Sequence, residues 1–416
     1  MVGSALARRW FNFRSRTFLH LAVCTLATTL PATAQPPASN ELPHELVYVL
    51  DTDRAAPASR DHLLVVDPER KVVLKRYAGD GIDFALSPDG KRLYLAHSSP
   101  RPEGNEENLG QLDVIDTASG DIIATTSNPD RWVTMGPYRQ SQMALSADGS
   151  WLYIYKAKSG PDTSQIAIFD TAGNKFLRDP IPLTKCGSAV LVPWPNARTL
   201  SVLCWGFDEP DLRTIHFGNQ GVPSNPTRRA IPISQDHGRR RAASAFVSGE
   251  NEVTVLMSDG KSIRLNVPGG AVASEGEIAF SPPLTPPGWH PQTPGAEHVP
   301  SLGRRYIGFG AIRESQGRLY IPLSRSDVYM QAADAIAVVN ARTLQQEAFF
   351  ELKSSFWNPS WNLFSGLAVG DYGQRLYLLG IESKGGVIRV LSLPALKQID
   401  EIKGLGATLT AIIPTR

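Results

Sequence analysis

The chain is poor in cysteine, close to neutral and without long apolar runs. Three cysteines among 416 residues are too few for a scaffold held together by many disulfides. With 42 basic and 40 acidic residues the chain carries almost no net charge, which argues against nucleic acid as a partner. Its apolar stretches are shorter than the roughly 20 residues of a membrane-spanning helix, so we expect no membrane span in the mature chain.

Recognisable catalytic motifs are also absent from the sequence. The histidines are scattered, and no two of them have the spacing of metal ligands. The sequence has neither the G-x-S-x-G motif of a nucleophile elbow nor a glycine-rich phosphate loop. We therefore predict no catalytic, cofactor-binding or metal-binding residue on this chain.

The first 34 residues have the pattern of a secretory signal peptide. Four arginines, at positions 8, 9, 14 and 16, precede an apolar segment at 18–30, and Ala-Thr-Ala at 32–34 offers a small-residue cleavage site. Cleavage there leaves 38 basic and 40 acidic residues in the mature chain. The proline-rich residues 35–44 that follow are predicted to form a flexible arm.

A strand, a tight turn and a second strand form the recurring unit of the sequence, seen first within residues 83–116. Its turn is Ser-Pro-Asp-Gly at 87–90, where proline presets φ at the second position and glycine accepts a positive φ. Similar turns occur at 146–149, 315–317 and 371–373, and a short apolar strand follows each of them. The recurrence indicates a repeat protein built of short strands.

These units repeat about every 50 residues, which is typical of a β-propeller. The third strand of each unit ends at one of seven residues: Asp67, Asp116, Asp170, His216, Asn266, Asn340 and Ser392. Successive steps are 49, 54, 46, 50, 74 and 52 residues, and the long step spans a proline-rich stretch at 268–303. We predict an all-β fold, a seven-bladed β-propeller over residues 45–416, with 268–303 as an irregular insertion.

The first unit lacks an innermost strand, whereas the apolar C-terminal stretch 407–413 has no partner within its own unit. We predict that this C-terminal strand completes the first blade and so closes the ring. Closure of this kind removes the open sheet edges that otherwise promote aggregation.

Cys186 and Cys204 are the two cysteines that remain once the signal peptide, with its Cys24, is removed. An even number of cysteines in an exported protein favours a disulfide, and these two fall on the first two strands of the fourth unit. We predict a bond between them; the alternative is a pair of buried free thiols.

Aspartates and tryptophans are the remaining candidates for a functional role. Asp67, Asp116 and Asp170 stand at strand ends, where such a side chain usually accepts hydrogen bonds from the following turn, so we predict a structural role for them. Most of the tryptophans are predicted to pack inside the blades. Trp205 and Trp289 lie at or within loops, and we predict that they contribute to a partner surface.

Residues 184–222 resemble one blade of the heavy subunit of the quinoprotein amine dehydrogenases, the methylamine and aromatic amine dehydrogenase family. They contain a cysteine, an apolar strand, a Pro-Asn turn, a strand with the second cysteine, and a third strand that runs into Ile-His-Phe-Gly-Asn-Gln-Gly at 215–221. Residues 146–174 are similar to the family's preceding blade, and Pro-Gly-Trp at 287–289 is similar to its Gly/Trp/Pro phrase. The resemblance extends in register over residues 45–416.

The resemblance implies a periplasmic scaffold subunit. In that family a small, disulfide-rich light subunit carries the tryptophan tryptophylquinone cofactor and oxidises a primary amine to an aldehyde and ammonia. The electrons then pass to a small copper protein or a cytochrome. This chain has too few cysteines to be the light subunit, so the resemblance implies the non-catalytic heavy subunit.

Two other functions are compatible with a propeller of this kind. One is a stand-alone, secreted propeller of the YVTN-repeat type that binds a partner or ligand without catalysis. The other is a lactonase-like hydrolase, which needs acidic and basic side chains that converge on the central channel. The predicted innermost strands at 83–86, 143–145 and 366–368 supply few such side chains, so the scaffold subunit is the favoured interpretation.

Overall fold

The computed structural model describes most of the chain from residue 45 onward. The described residues are 45–51, 62–78, 80–98, 110–127, 143–156, 164–177, 179–205, 210–218, 222–231, 242–267, 271–284, 305–307, 312–324, 333–352, 366–370, 374–382, 385–405 and 409–415. The predicted signal peptide 1–34 and the predicted arm 35–44 lie outside the described residues, and so does Trp289.

Short antiparallel strands make up the regular structure of the described residues, and they form seven sheets in chain order. The first sheet begins with β1 (Val47–Asp51), β2 (His62–Asp67) and β3 (Val72–Ala78). The second sheet contains β4 (Asp80–Leu86), β5 (Arg92–Ser98), β6 (Gly110–Asp116) and β7 (Ile122–Ser127). The third contains β8 (Met143–Leu145), β9 (Trp151–Lys156) and β10 (Gln165–Asp170), with β11 (Lys175–Phe176) and β12 (Ile181–Pro182) both paired to β10.

The remaining sheets follow the same plan: the fourth, fifth and seventh have four strands each, and the sixth has five. The fourth contains β13 (Ser188–Pro193), β14 (Thr199–Trp205), β15 (Asp211–His216) and β16 (Thr227–Ala230). The fifth contains β17 (Ala242–Gly249), β18 (Glu252–Met257), β19 (Lys261–Asn266) and β20 (Val272–Glu277). In the sixth, β21 (Tyr306–Ile307) and β22 (Arg313–Ser315) both pair with β23 (Arg318–Ser324), followed by β24 (Ala333–Asn340) and β25 (Gln346–Glu351). The seventh contains β26 (Leu367–Gly370), β27 (Arg375–Glu382), β28 (Gly385–Ser392) and β29 (Lys397–Lys403).

The last strand, β30 (Leu409–Pro414), closes the ring. It pairs antiparallel with β1, where Val49 faces Ile412 and Tyr48 faces Ile413. The first sheet therefore has the order β3-β2-β1-β30, and the C-terminus supplies its innermost strand. The predictions of a seven-bladed β-propeller and of closure by the C-terminal strand are both confirmed.

Hydrophobic clusters lie between neighbouring blades. The described residues form seven such clusters, and each one draws its members from two consecutive blades. The cluster that joins the last blade to the first contains Tyr377, Ile388, Val49 and Ile412, all of them buried. Because successive side chains of a strand point to opposite faces, each blade contributes to the core on both of its sides. The core is thus a ring around the central channel.

The recurring turns have the geometry predicted from their sequence. Gly90 has a φ of 71°, and its N–H donates a hydrogen bond of 2.9 Å to the Ser87 carbonyl oxygen. The Ser87 hydroxyl donates to Asp89 Oδ1 at 2.6 Å, so the turn side chains reinforce the backbone bond. A serine and an aspartate make the same contact in the next blade, between Ser146 and Asp148, at 2.7 Å.

The strand-end aspartates hold turns, as predicted. Asp67 Oδ1 accepts hydrogen bonds from the N–H groups of Glu69 and Arg70, both at 2.9 Å. Asp116 Oδ1 accepts from the N–H groups of Ser119 and Ala118, and these bonds hold the pKa of the Asp116 carboxyl below its usual value. These carboxylates stabilise the folded chain at the turns between the third and fourth strands.

Residues 268–303 differ from the predicted irregular insertion at their beginning. Val272–Glu277 forms β20, the outermost strand of the fifth blade, which pairs with β19. All six of its residues are exposed and three of them are polar, and the sequence Val-Ala-Ser-Glu-Gly-Glu lacks the alternation of apolar residues that indicates a strand. Residues 285–304 lie outside the described part of the chain.

Candidate functional site

The fourth blade contains the predicted disulfide. Cys186, in the turn before β13, is bonded to Cys204 in β14, and their Cα atoms are 5.1 Å apart. Both side chains are buried. The Tyr155 hydroxyl donates a hydrogen bond of 2.8 Å to the Cys186 carbonyl oxygen, so the third blade is also tied to this point. The disulfide therefore fixes the start of the fourth blade to its second strand.

The described part of the structure does not include the side chains of the two tryptophans predicted to form a partner surface. Trp205 ends β14, but its side chain lies outside the described part of the structure, as does the whole of Trp289. Trp194, by contrast, is buried, and its Nε1–H donates to the Ser201 hydroxyl at 2.9 Å. Trp151 is partly buried against the cluster between the third and fourth blades. The partner surface stays a prediction.

Two groups of buried or half-buried charges lie within blades and serve the fold. Arg213 Nε donates to Asp211 Oδ1 at 2.8 Å, and both side chains are buried in β15. Arg305 Nε lies 3.0 Å from Asp334 Oδ1 in the sixth blade, and its Nη2 lies 2.9 Å from Glu351 Oε1. Each of these cations is paired with a carboxylate of its own blade, and this attraction offsets part of the cost of burying the charge.

The central channel contains a cavity of about 480 Å³. The residues that line it lie in or next to the innermost strands of the first six blades. Its walls include the apolar side chains of Met143, Val192, Phe246 and Ile412. The volume of this cavity falls within the range of small-molecule sites in proteins.

Asp83 brings a negative charge to the wall of this cavity. The residue lies in β4, and only 6% of its surface is exposed. Its Oδ1 accepts a hydrogen bond of 2.9 Å from the N–H of Phe84, and its Oδ2 accepts one of 3.0 Å from the N–H of Met143. The carboxylate thus joins the innermost strands of the second and third blades, and these bonds fix its orientation.

Arg313 brings a positive charge to the same cavity from the sixth blade. It is the first residue of β22, and its Nη1 donates a hydrogen bond of 3.3 Å to the Ile312 carbonyl oxygen. Burial lowers the pKa of its guanidinium, whereas the negative charge of Asp83 acts in the opposite direction. Because arginine titrates far above neutral pH, Arg313 keeps its charge.

The channel is therefore more polar than the sequence suggested. Asp83 belongs to a stretch that was expected to contribute little to the channel, and Arg313 was not recognised as a lining residue. Glu314, which is exposed, lines the cavity as well, and its Oε1 accepts a hydrogen bond of 3.1 Å from the N–H of Gly317. These side chains converge only because the ring closes, since Asp83 and Arg313 are 230 positions apart in the chain.

Two further observations concern the described residues alone. No group of three or more histidine, cysteine, aspartate or glutamate side chains among them is arranged to hold a metal ion. No helix in the described part of the chain is long and apolar enough to cross a membrane.

Comparisons with known proteins support the fold. No protein-family model matches the chain, and no curated protein sequence matches it. The chain is similar to the structure of the periplasmic gluconolactonase of Pseudomonas aeruginosa, with a TM-score of 0.58, 12% identity, and 89% of this chain and 99% of that chain covered. A functionally unknown protein from Desulfotomaculum acetoxidans gives a TM-score of 0.57 at 12% identity, with the same coverage of 89% and 99%.

A third similar structure is the β-propeller domain of Cps50 (Swd1) from Myceliophteria thermophila. Its TM-score is 0.50 at 11% identity, with 80% of this chain and 89% of that chain covered. The three structures differ in what their descriptions say of function, and at this level of identity a likeness shows the fold alone. Together with the closed ring of seven sheets, they show that this chain is a seven-bladed β-propeller.

Proposed function

We propose that this chain is the non-catalytic heavy subunit of a periplasmic quinoprotein amine dehydrogenase. Its partner is a small, disulfide-rich light subunit that carries tryptophan tryptophylquinone and oxidises a primary amine to an aldehyde and ammonia. A small copper protein or a cytochrome accepts the electrons. The observation that carries the proposal is the Cys186–Cys204 disulfide, which lies in the blade that resembles the heavy subunits of that family.

The landmarks of the resemblance within residues 184–222 lie in one sheet or directly next to it. Cys186 precedes β13, the Pro-Asn turn connects β13 to β14, and Cys204 lies in β14. The phrase at 215–221 begins within β15, and the ring of its Phe217 stacks on Tyr153 of the preceding blade with centroids 5.2 Å apart. The resemblance thus corresponds to a structural unit, the fourth blade and its contact with the third.

The described residues do not fit a quinone cofactor on this chain. Tryptophan tryptophylquinone requires two tryptophan side chains that are close enough to be joined covalently. The two tryptophans whose side chains are described, Trp151 and Trp194, pack in different hydrophobic clusters on opposite sides of the fourth blade.

A closed propeller is suited to a platform role. The clusters between blades fix the blades to one another, and loops from several blades meet at each face of such a ring. A partner that binds the ring meets strands whose positions these clusters already fix, which lowers the entropic cost of association. The proposed partner surface includes Trp205 and Trp289.

Co-expression tests the proposal. The mature chain with an affinity tag is expressed together with a small cysteine-rich chain encoded beside its gene, and the complex is purified through the tag. We expect the small chain to co-purify, and Trp205→Ala or Trp289→Ala to reduce its recovery. Ile123→Ala, which alters an exposed residue on the outer strand β7, is the control and leaves recovery unchanged. Failure of any such small chain to bind would favour the stand-alone propeller instead.

A further inference from the structure

The outermost strand of a blade has one edge that no strand of its own sheet covers. In the described part of the chain, β7 pairs with β6 and ends the second sheet on the outside of the ring. Alternate residues of an edge strand direct their N–H and C=O groups away from the sheet, where a strand of another chain can pair with them. The edge of β7 is therefore a site of association unless its sequence prevents pairing.

Charged side chains and proline are the usual devices that keep an edge strand from such pairing. The described outer strands of the other six blades carry them: Lys75 and Arg76 in β3, Lys175 in β11, Pro182 in β12, Arg228 and Arg229 in β16, Glu275 and Glu277 in β20, Glu347 and Glu351 in β25, and Lys397, Asp400, Glu401 and Lys403 in β29. β7 has the sequence Ile-Ile-Ala-Thr-Thr-Ser and contains neither a charge nor a proline. Among the outer strands that the structure describes, its edge is the least protected.

Exposed aliphatic side chains are concentrated at the same place. Four of the seven large hydrophobic side chains that are exposed in the described part of the chain lie in β3 and β7: Val72, Leu74, Ile122 and Ile123. Each of the four is between 43% and 50% exposed. The Tyr77 hydroxyl of β3 donates a hydrogen bond to the carbonyl oxygen of Gly120, in the turn that leads into β7, so the two outer strands are neighbours. The uncovered edge thus adjoins an apolar patch.

We infer that β7 pairs with β7 of a second copy of this chain, antiparallel and about a two-fold axis. Such an axis brings the same strand of both copies together in opposite directions. Because β7 has no charge, the pairing places no like charges opposite each other, and the strand offers no charge with which to select a different protein. This interface goes beyond the scaffold function proposed above. It requires neither a light subunit nor a redox cofactor, so the two proposals fail independently.

Sedimentation velocity of the mature chain over a series of concentrations tests the inference. We expect a reversible equilibrium between monomer and dimer. Ile123→Lys is expected to weaken the dimer by at least about tenfold, because it places a charge in each of the two paired edges. Ile122→Lys is a second variant with the same expectation, and a thermal melt checks that each variant is folded.

The matched control is Ser274→Lys. Ser274 is exposed in β20, the outer strand of the fifth blade, which already carries Glu275 and Glu277. This variant is expected to form the dimer as the parent chain does. The inference is overturned by any of three results: a dimer that persists in both isoleucine variants, an equal loss in Ser274→Lys, or a parent chain that stays monomeric up to its solubility limit. The last result would leave the edge of β7 to a different protein.

Cysteine crosslinking tests the symmetry of the contact. A two-fold axis sets one residue of β7 opposite its own copy, and the Cβ atoms of such a pair are about 4.5–5.5 Å apart, close to their separation in a disulfide. Registers that pair most of the strand are centred on Ala124 or Thr125. With a mild oxidant, Ala124→Cys or Thr125→Cys is therefore expected to yield a covalent dimer, whereas Ser274→Cys is not. Crosslinking of neither β7 variant, or of Ser274→Cys to the same extent, would contradict the symmetric pairing.

Discussion

Removing the disulfide of the fourth blade provides a quantitative test of the structure. The double variant Cys186→Ala, Cys204→Ala deletes a bond between residues 18 positions apart, both of them buried. In the chain-entropy treatment, a crosslink that closes a loop of this length stabilises the folded state by about 3 kcal/mol. Truncating two buried sulfur atoms adds a smaller packing loss.

The expected consequence is a lower melting temperature. For a chain of this size a loss of about 3 kcal/mol corresponds to a decrease on the order of 5 °C. Circular dichroism of the double variant and the parent, recorded with and without a reducing agent, measures it. Complete reduction of the unfolded parent followed by refolding in reductant is expected to reproduce the melting temperature of the variant, whereas reductant leaves the variant unchanged.

A double variant that melted with the parent would contradict this reasoning. It would mean that the bond does not constrain the unfolded chain, or that it does not form in the protein. Mass spectrometry of the unreduced parent separates these two explanations, since a formed disulfide leaves both cysteines unalkylated.

Three further predictions concern the joints between blades. Ile412→Ala leaves a cavity where the C-terminal strand meets β1, so we expect the free energy of unfolding in urea to fall by about 2–5 kcal/mol. An unchanged unfolding midpoint would refute closure of the ring by this strand. Tyr155→Phe removes the hydrogen bond to the Cys186 carbonyl oxygen and is expected to cost about 1–3 kcal/mol. Burial raises the pKa of the Tyr155 hydroxyl from 10.0 to about 12, so the folded state binds this proton more tightly than the unfolded state does. The protonated hydroxyl therefore stabilises the fold fully below pH 10, and this contribution is lost as the pH rises towards 12. We expect the free energy of unfolding of the phenylalanine variant to fall less steeply with pH in this range. Gly370→Ala places a Cβ only 2.8 Å from Tyr377 Cε2 and against Glu45 Oε1. Because the neighbouring atoms must shift, we expect the free energy of unfolding in urea to fall by about 1–3 kcal/mol.

Most of the fold was predictable because its determinants are local and repeated. Each Ser-x-Asp-Gly turn specifies a hairpin through the positive φ of its glycine and a hydrogen bond from serine to aspartate. The strand units recur about every 50 residues, with one longer step. Closure of the ring was predictable from the number of strands, because the first unit lacked an innermost strand and the C-terminal stretch had no partner within its own unit. The disulfide followed from the even number of cysteines on adjoining segments of one unit.

The channel was not predictable in the same way. Asp83 and Arg313 meet through ring closure, and no local pattern in either segment reveals a partner 230 positions away. The available indication was Asp83, a charged residue at the start of the predicted innermost strand 83–86, where the predicted strand 143–145 of the next blade begins with a methionine. The outermost strand Val272–Glu277 was missed for a related reason: it is fully exposed, so burial imposes no periodicity on its sequence.

Amine-dependent dye reduction is the most direct test of the proposed function. The assay is run on the purified chain alone, on the small cysteine-rich partner alone, and on the complex of the two, with a primary amine as substrate. We expect the complex to reduce the dye, whereas this chain alone does not. Robust amine oxidation by this chain in the absence of any partner would contradict its assignment as a scaffold subunit.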